Sequence, residues 1–329
     1  MARVVAGFGT SHSTMLFSTS ENWQAMFDHV DRRGPIYDFD GKPRSFDELL
    51  QSTPASAAAK VTAAAQAERH QQTMEAMDRL QSAIAAAKLD VLVIVGDDQR
   101  EIFGDECRPA IAVYYGDSIR NAPAPAEPTT SWYLQDQRKR MEDKHERFYP
   151  CHAGLGTHIA AGLTDRGFDI TAMKSLKGEQ FEGHAYSFIH RRFMPDGPIP
   201  IVPIMLNTYY PPNQPSPKRC FDLGTTIRAL IDSFPGDDLR VGIMASGGLS
   251  HFLVNEALDR EVIEALQRKD HAALKALPAK KLLSGSSEIR NWIAVAAAVD
   301  DLTLDWLSYV PGYRSRALTG VGLCFAHWH

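Results

Sequence analysis

Three short motifs carry histidines that could bind a metal ion. His12 lies in a Gly-Thr-Ser-His-Ser run, His184 follows a glycine, and His251 closes a Gly-Gly-Leu-Ser-His run with Glu256 a little further along the chain. Imidazole and carboxylate ligands without thiolate suit a site with two histidines and one carboxylate that binds Fe(II) and leaves positions open. Zinc accepts the same ligands. The residue types therefore indicate a metal centre and leave its metal open.

Composition favours chemistry on a small molecule. The formal net charge of -5 and the isoelectric point near 6.2 give no basic field for nucleic acid. The chain has no Gly-x-Ser-x-Gly elbow, no Walker loop and no Gly-x-Gly-x-x-Gly motif. Its four cysteines include no Cys-x-x-Cys pair, so we expect reduced thiols and no zinc knuckle.

Short runs rich in β-branched residues alternate with helical stretches along the chain. This alternation predicts an α/β fold with a central, mostly parallel or mixed sheet flanked by helices. The predicted strands cover residues 3–9, 90–96, 110–115, 168–173, 199–207, 240–246 and 321–326. The predicted helices cover residues 56–88, 218–233, 255–269 and 286–299.

The polar residues of interest fall just after predicted strand ends. His12 follows the first strand, Asp97, Asp98 and Gln99 follow the second, and His251 follows the sixth. In open α/β sheets the ligand crevice lies outside the carboxyl ends of the strands. We therefore expect these side chains to share one site.

The chain of 329 residues, 44% hydrophobic and 23% charged, is long enough for one large domain. We predict a single catalytic domain over residues 1–329 with a loop and helix insertion at about 20–88. Residues 20–54 could close over a substrate or form a subunit contact, and residues 122–128 begin a second irregular stretch. The apolar N-terminal run is too short for a signal peptide, and no run approaches the roughly 20 apolar residues of a membrane span. We expect a cytoplasmic protein that does not bind membranes.

An ordered set of motifs resembles the class III extradiol ring-cleavage dioxygenases, whose members include the protocatechuate 4,5-dioxygenase β-subunit and the gallate and 3-O-methylgallate dioxygenases. The resemblance covers nearly the whole chain. Its motifs are Thr10-Ser11-His12, Gly183-His184, Gly247-Gly248-Leu249-Ser250-His251 with Asn255-Glu256, and Gly285-Ser286-Ser287-Glu288.

This resemblance implies non-haem Fe(II) and assigns roles to individual residues. His12 and Glu256 would be metal ligands, and His184 would be the acid/base residue that takes a proton from the catechol. His158 matches a second active-site histidine of the family, near the substrate and dioxygen. His251 would orient the site and contact the substrate region.

One position departs from the family. The second histidine ligand ordinarily follows an aspartate after the second strand, and here Asp98 is followed by Gln99. The amide oxygen of Gln99 is a weaker, neutral ligand. Alternatively, Asp97 or Asp98 binds the metal, His70 reaches the site from the insertion, or no redox metal binds.

Two features bear on the substrate. Ser286 precedes an apolar helical run, where free backbone N–H groups could hold a carboxylate, although an ordinary helix cap explains it equally well. Tyr209 follows the fifth strand and could shape an aromatic pocket. Together with the resemblance, these features favour a carboxylated catechol or pyrogallol, 3-O-methylgallate-like rather than protocatechuate, with 3,4-dihydroxypyridine as a further candidate.

The sequence thus predicts an extradiol dioxygenase that opens an aromatic ring with O2 and forms a homodimer. Two alternatives remain open. One is a superfamily member that binds ligands without ring cleavage, which the glutamine at position 99 motivates. The other is a zinc-dependent hydrolase built on His12 and Glu256.

Overall fold

A mixed β-sheet positions every element of the candidate site. The computed structural model describes residues 1–31, 34–123, 131–235 and 238–329, leaving aside the side chains of residues 27 and 28. The strands are β1 (Arg3–Thr10), β2 (Ile36–Tyr37), β3 (Pro43–Arg44), β4 (Val91–Asp97), β5 (Ile111–Tyr114), β6 (Ser118–Asn121), β7 (Arg147–Pro150), β8 (Thr171–Met173), β9 (Ile201–Leu206), β10 (Arg240–Ser246), β11 (His251–Leu253), β12 (Leu304–Tyr313) and β13 (Thr319–Trp328). The α-helices are α1 (Ser20–His29), α2 (Phe46–Ser52), α3 (Ala63–Ala87), α4 (Trp132–Met141), α5 (Ala153–Asp165), α6 (His184–Phe193), α7 (Pro217–Asp232), α8 (Glu256–Arg268), α9 (His271–Ala276) and α10 (Ile289–Ala298).

The centre of the sheet is parallel and its margins are antiparallel. Within the described ranges the main sheet has nine strands in the order β11-β13-β1-β10-β4-β9-β5-β8, with β12 paired to β13. Strands β1, β10, β4 and β9 run parallel, whereas β13 is antiparallel to β1 and β5 is antiparallel to β9. The carboxyl ends of the four central strands therefore meet at one edge, as a shared site requires.

Strand β4 shows why both faces of the sheet are covered. Val91, Val93 and Val95 pack into one core with helices α5, α7, α8 and α10, while Leu92 and Ile94 pack into a second core with α1, α3 and α6. An unbroken apolar run is the pattern expected of a strand with helices on both sides. The α/β fold predicted from sequence is confirmed.

All seven predicted strands are present, and one long strand was missed. Strand β12 contains Pro311 and Gly312, which weaken a strand prediction because proline cannot donate to a ladder and glycine packs no side chain. β12 lies at the margin and pairs with β13, where a proline is tolerated. The predicted insertion at 20–88 includes α3, whose Met77, Leu80 and Ile84 belong to the core. Most of the proline-rich stretch at 122–128 lies outside the described residues.

Two further findings concern membrane crossing and the cysteines. In the ranges that the structure describes, no helix combines the length and the apolar character needed to cross a membrane. All four cysteines are free thiols, with Cys220 and Cys324 buried.

The contact between α7 and α10 depends on a glycine. A Cβ atom on Gly224 would lie 1.8 Å from the carbonyl oxygen of Ala294, a backbone atom that cannot move aside alone. We therefore expect Gly224→Ala to lower the free energy of unfolding by about 1–3 kcal/mol, as overpacked cores do. Urea denaturation measures this change. Gly197→Ala is the control, since its Cβ meets nothing within 4 Å and should leave the unfolding midpoint unchanged.

Candidate metal centre

Four buried side chains converge at the carboxyl edge of the central strands. His12 follows β1 and Asp97 is the last residue of β4. His184 is the first residue of α6, and Glu288 ends a short 3₁₀ turn (Ser284–Glu288) that leads into α10. One ligand atom from each residue lies within 4.8 Å of the others. The sheet and two helix starts thus bring together residues that are distant in sequence.

His12 lies at the centre of this group. Its Nε2 is 3.2 Å from His184 Nε2, 3.3 Å from Glu288 Oε2 and 3.9 Å from Asp97 Oδ1. His184 Nε2 also lies 3.9 Å from Asp97 Oδ2. These separations leave the four groups facing one another around a common point.

The hydrogen bonds behind each ring assign the histidine tautomers. The Ser246 hydroxyl donates to the Ala185 carbonyl at 2.7 Å, so it must accept a proton from His12 Nδ1, which lies 3.0 Å away. The Glu101 carboxylate accepts from His184 Nδ1 at 2.6 Å. Both Nε2 atoms then present lone pairs to each other. Such an arrangement is repulsive unless a cation or a proton lies between them.

The electrostatics of Glu101 reinforce this assignment. Burial alone would raise its pKa, but the adjacent His184 and the backbone N–H of Gln99 outweigh burial and hold the pKa of Glu101 at about 2. Glu101 is therefore ionised at neutral pH and acts only as an acceptor. It fixes the ring of His184 as a carboxylate behind a metal-facing or catalytic histidine commonly does.

Asp97 and Glu288 behave as a crowded pair of carboxyl groups. Burial, and then the nearby Glu288 charge, raise the pKa of Asp97 to about 8. His251 and His12 outweigh burial at Glu288 and hold its pKa well below the usual range. Burial lowers the pKa of His12 despite these neighbours. These shifts favour a protonated Asp97 and a neutral His12 beside an ionised Glu288.

A divalent ion fits this donor set. Two imidazole lone pairs and two carboxyl groups point to one place, and the Oδ1 atom of Asp97 is buried without a hydrogen-bond partner. Buried polar atoms normally have partners, so a carboxyl oxygen without one among converging ligand atoms fits a metal ligand. Nitrogen and oxygen donors suit iron, zinc or manganese and exclude none of them.

Gln99 reaches the cluster from the loop after β4. Its Nε2 lies 3.2 Å from Asp97 Oδ2 and 3.3 Å from Glu288 Oε1. The amide is thus placed between the two carboxyl groups with its donor side towards them. Gln99 therefore lies beside the cluster, and its role as a metal ligand stays a prediction.

His251 supports Glu288 from the other side. Its Nε2 is 3.1 Å from Glu288 Oε1 and its Nδ1 is 2.9 Å from the Leu249 carbonyl. The backbone N–H of Gly248 donates to Glu288 Oε2 at 2.7 Å. Although burial opposes it, the Glu288 carboxylate raises the pKa of His251. His251 therefore orients Glu288, and the contact with the substrate region expected of it stays a prediction.

A cavity of about 190 Å³ opens onto these side chains. Met26 in α1 and Val30 just after α1 line this cavity. Part of the segment 20–54, which we expected could close over a substrate, therefore faces the site. Tyr209 also lines it, and burial raises the pKa of Tyr209 well above its usual range, so its hydroxyl stays protonated. The remaining lining residues are His12, Ser13, Thr14, Gln99, Tyr133, Gln137, Arg140, His184, Gly248, His251, Phe252, Glu288, Arg314 and Val321.

The structure does not bring Glu256 to the cluster. At the start of α8, its carboxylate binds the Lys60 ammonium at 2.7 Å, the Tyr313 hydroxyl, and Arg260 at 2.9 Å. Partial burial opposes the effect, but Lys60 and Tyr313 lower the pKa of Glu256. The expectation that Glu256 joins His12 is corrected, because the carboxylate beside His12 belongs to Glu288.

His158 and Ser286 also lie outside the cavity. His158 Nε2 faces the Leu230 carbonyl at 3.0 Å and the Ser233 hydroxyl at 3.2 Å, where α5 packs on α7. The Ser286 hydroxyl accepts from the His251 N–H at 3.0 Å and donates to the His251 carbonyl at 3.1 Å. Ser286 therefore joins its 3₁₀ turn to β11, and His158 joins two helices.

The structure also distinguishes between the residues that could replace the missing histidine ligand. Asp98 accepts from the backbone N–H groups of Arg100, Ile102 and Phe103, so it caps its own loop. His70 Nε2 faces the Ser18 carbonyl at 3.0 Å and is not among the clustered ligands of the described chain. Asp97 is the alternative that the structure places in the cluster.

Sequence reasoning gave no role to three residues of the site. Glu288 stands in a motif that carried the family resemblance, and the apolar helix after it indicated that it begins an element packed on the sheet. Glu101 follows shortly after Gln99 in the loop beyond β4. Arg140 lies in a charged stretch that resembles an ordinary solvated helix, and nothing in the sequence separates it from its neighbours.

Comparison with known proteins defines the class of this site. The family described as "Catalytic LigB subunit of aromatic ring-opening dioxygenase" matches residues 54–322, and the chain belongs to this family. A gallate dioxygenase of Pseudomonas putida is 32% identical over 103 residues. That match covers 30% of this chain and 28% of the relative, so it spans less than a third of the relative's length. The resemblance to class III extradiol dioxygenases is confirmed.

Proposed function

We propose that this protein is a non-haem Fe(II)-dependent extradiol dioxygenase that opens the ring of a carboxylated catechol or pyrogallol with O2. The observation that carries the proposal is the buried convergence of His12, Asp97, His184 and Glu288 on a cavity of about 190 Å³. Family membership supports ring opening in general. The donor set and the small cavity support a metal-bound single ring.

His12, Glu288 and Asp97 would hold the metal in this proposal. Asp97 takes the place of the histidine that Gln99 replaces, because its Oδ1 is buried without a partner. When bound, iron supplies a Lewis-acidic, redox-active centre at which a catecholate and O2 can react. Ser246 and His251 keep the ligand atoms of His12 and Glu288 aimed at that position.

His184 would move the proton in the reaction. The lone pair on its Nε2 faces the cavity and accepts the proton of a catechol hydroxyl, while Nδ1 keeps its hydrogen bond to Glu101. The ionised Glu101 stabilises the resulting imidazolium, as the carboxylate of a catalytic triad does. His184 can then return the proton as the ring opens. A positioned base of this kind contributes about 100- to 10,000-fold to a rate.

Apolar walls would exclude water from the reacting groups. Met26, Val30 and Phe252 line the same cavity as the ligand atoms. A dry site strengthens the interactions between the charged groups within it.

Gln99 is the observation that favours a second candidate function. A neutral amide in place of an imidazole weakens metal binding, which suits a superfamily member that binds aromatic ligands without cleaving them. A zinc hydrolase built on the same donors is a third candidate. Metal analysis of protein purified without oxygen separates them. Bound iron supports the dioxygenase, zinc supports the hydrolase, and no metal supports the binding protein.

We expect Gln99→His to raise the affinity for iron by about tenfold, because an imidazole is a stronger ligand and position 99 lies within 3.3 Å of Glu288. Competition with a chelator under nitrogen measures the change. The exposed Gln72→His variant is the control. An unchanged affinity would place the third ligand elsewhere.

A further inference from the structure

One face of α4 lies along the cavity and has no role in the proposed function so far. Tyr133, Gln137 and Arg140 all line the cavity. Their spacing of four and then three residues places them on one side of a helix. This face is therefore built towards the same space as the metal ligands.

α4 is held in place by buried contacts at both ends of this face. The Ser18 hydroxyl donates to the buried Asp136 carboxylate at 2.7 Å, which fixes the helix to the segment after His12. The side-chain amide of Asn121 donates to the Met141 carbonyl at 2.9 Å. The residues on its cavity face are thus presented from a fixed support.

Arg140 has an uncommitted edge. Its Nη1 donates to the His12 carbonyl at 2.8 Å, and its Nη2 makes a weak contact with Met141 Sδ at 3.4 Å. Its Nε is buried and has no hydrogen-bond partner. Nε and Nη2 form the side of a guanidinium that binds a carboxylate through two parallel hydrogen bonds. Among the described residues, that side of Arg140 has no carboxylate or carbonyl partner.

The other arginine of the cavity differs in this respect. Arg314 binds the buried Asp31 carboxylate through Nη2 at 2.6 Å and Nε at 3.3 Å. Its charge and its bidentate edge are already used. Among the described residues that line the cavity, Arg140 is therefore the arginine with no carboxylate partner.

The charges of Glu101, Glu288 and Asp97 favour the charged form of the Arg140 guanidinium, but among the described residues none of these carboxylates forms an ion pair with it. A desolvated cation without an ion pair is costly to bury, so a ligand anion beside Arg140 would recover that cost. The bond from Nη1 to the His12 backbone fixes the distance between this cation and the metal-facing ring. A ligand bound to both would be held at two points.

We propose that Arg140 binds the carboxylate of the aromatic substrate through Nε and Nη2 and so selects acidic catechols over neutral ones. This proposal rests on the proposed function, since it assigns the anionic end of the same substrate. It replaces the helix start at Ser286, whose hydroxyl is occupied by His251. Arg140 is a binding residue and takes no part in proton transfer.

A binding titration under nitrogen tests this proposal without requiring turnover. Protein as isolated with its metal is titrated with protocatechuate and with 3,4-dihydroxybenzamide, a neutral analogue of the same shape. Arg140→Gln should weaken protocatechuate binding by about 10- to 100-fold, the effect of losing charge-assisted hydrogen bonds. Binding of the amide should change by less than about threefold. Arg140→Lys keeps the charge but loses the paired N–H donors, so its affinity for protocatechuate should lie between those of the wild type and Arg140→Gln.

The control is Arg268→Gln, the same substitution at an exposed residue of α8, which should bind both ligands as the wild type does. Thermal unfolding checks that each variant is folded. Equal weakening for both ligands, no weakening for protocatechuate, or a wild type that binds neither ligand would overturn the role of Arg140. If Arg140 still distinguishes protocatechuate from the amide but the protein opens neither ring, only the proposed function is contradicted.

Discussion

Glu288→Gln is expected to lose most of the bound metal, with an affinity more than about 100-fold below the wild type. Loss of a group that merely orients a ligand costs about 10- to 100-fold, and Glu288 is itself a carboxylate facing His12 at 3.3 Å. The amide would also leave the donors of His251 and Gly248 facing a neutral group. Metal content after anaerobic dialysis against a chelator measures the loss.

Glu256→Gln is the matched comparison. Its carboxylate binds Lys60 and Arg260 away from the cluster, so the variant should retain its metal. The pair therefore decides between the carboxylate that the family motif indicated and the one that the structure places at the site. Metal loss in Glu256→Gln with metal retained in Glu288→Gln would reverse our assignment.

His184→Gln is expected to keep the metal and to lower turnover by about 100-fold or more, the range for a positioned acid/base. Oxygen uptake under saturating substrate measures turnover, and metal analysis of the same sample measures retention. His271→Gln is the control, because this histidine is on the surface and binds Asp300.

Glu101→Gln should also keep the metal and lower turnover, but by less than His184→Gln does. Its carboxylate holds Nδ1 of His184 at 2.6 Å, and an amide there no longer stabilises a protonated ring. Metal loss in His184→Gln would instead make His184 a ligand, in which case Glu101 would be the carboxylate that orients a metal-bound imidazole.

The sheet and the location of the site could be predicted from sequence because both depend on local patterns. The run at residues 91–95 is apolar without alternation, which is typical of a central strand. His12 and Gln99 follow strand ends and Asp97 is the last residue of its strand, and the parallel arrangement of β1, β10 and β4 brings those ends together.

The choice between Glu256 and Glu288 could not be made from sequence. Both precede helices near family motifs. What separates them is a long-range contact, since Lys60 reaches Glu256 from a segment almost two hundred residues earlier in the chain. A carboxylate that finds an ammonium partner is held away from a metal site, and no local pattern reports such a partner.

Arg140 and His158 show the same limit of prediction from sequence, because one residue was missed and the other was wrongly expected at the site. His158 matched a family position and lies between α5 and α7, whereas Arg140 belonged to a charged stretch and lies beside His12. Which side of a helix faces a cavity depends on how the helix docks. For α4 that docking is fixed by Ser18 and Asp136, which are distant in sequence.

Oxygen consumption by the iron-loaded wild type tests the central claim most directly. Protein purified and loaded with Fe(II) under nitrogen is mixed with gallate, 3-O-methylgallate, protocatechuate or 3,4-dihydroxypyridine, and O2 uptake is recorded beside the absorbance of the ring. We predict that at least one carboxylated substrate consumes one O2 for each ring opened, and that His184→Gln abolishes most of both changes. Iron-loaded, folded protein that binds these compounds and consumes no O2 with any of them would contradict the account.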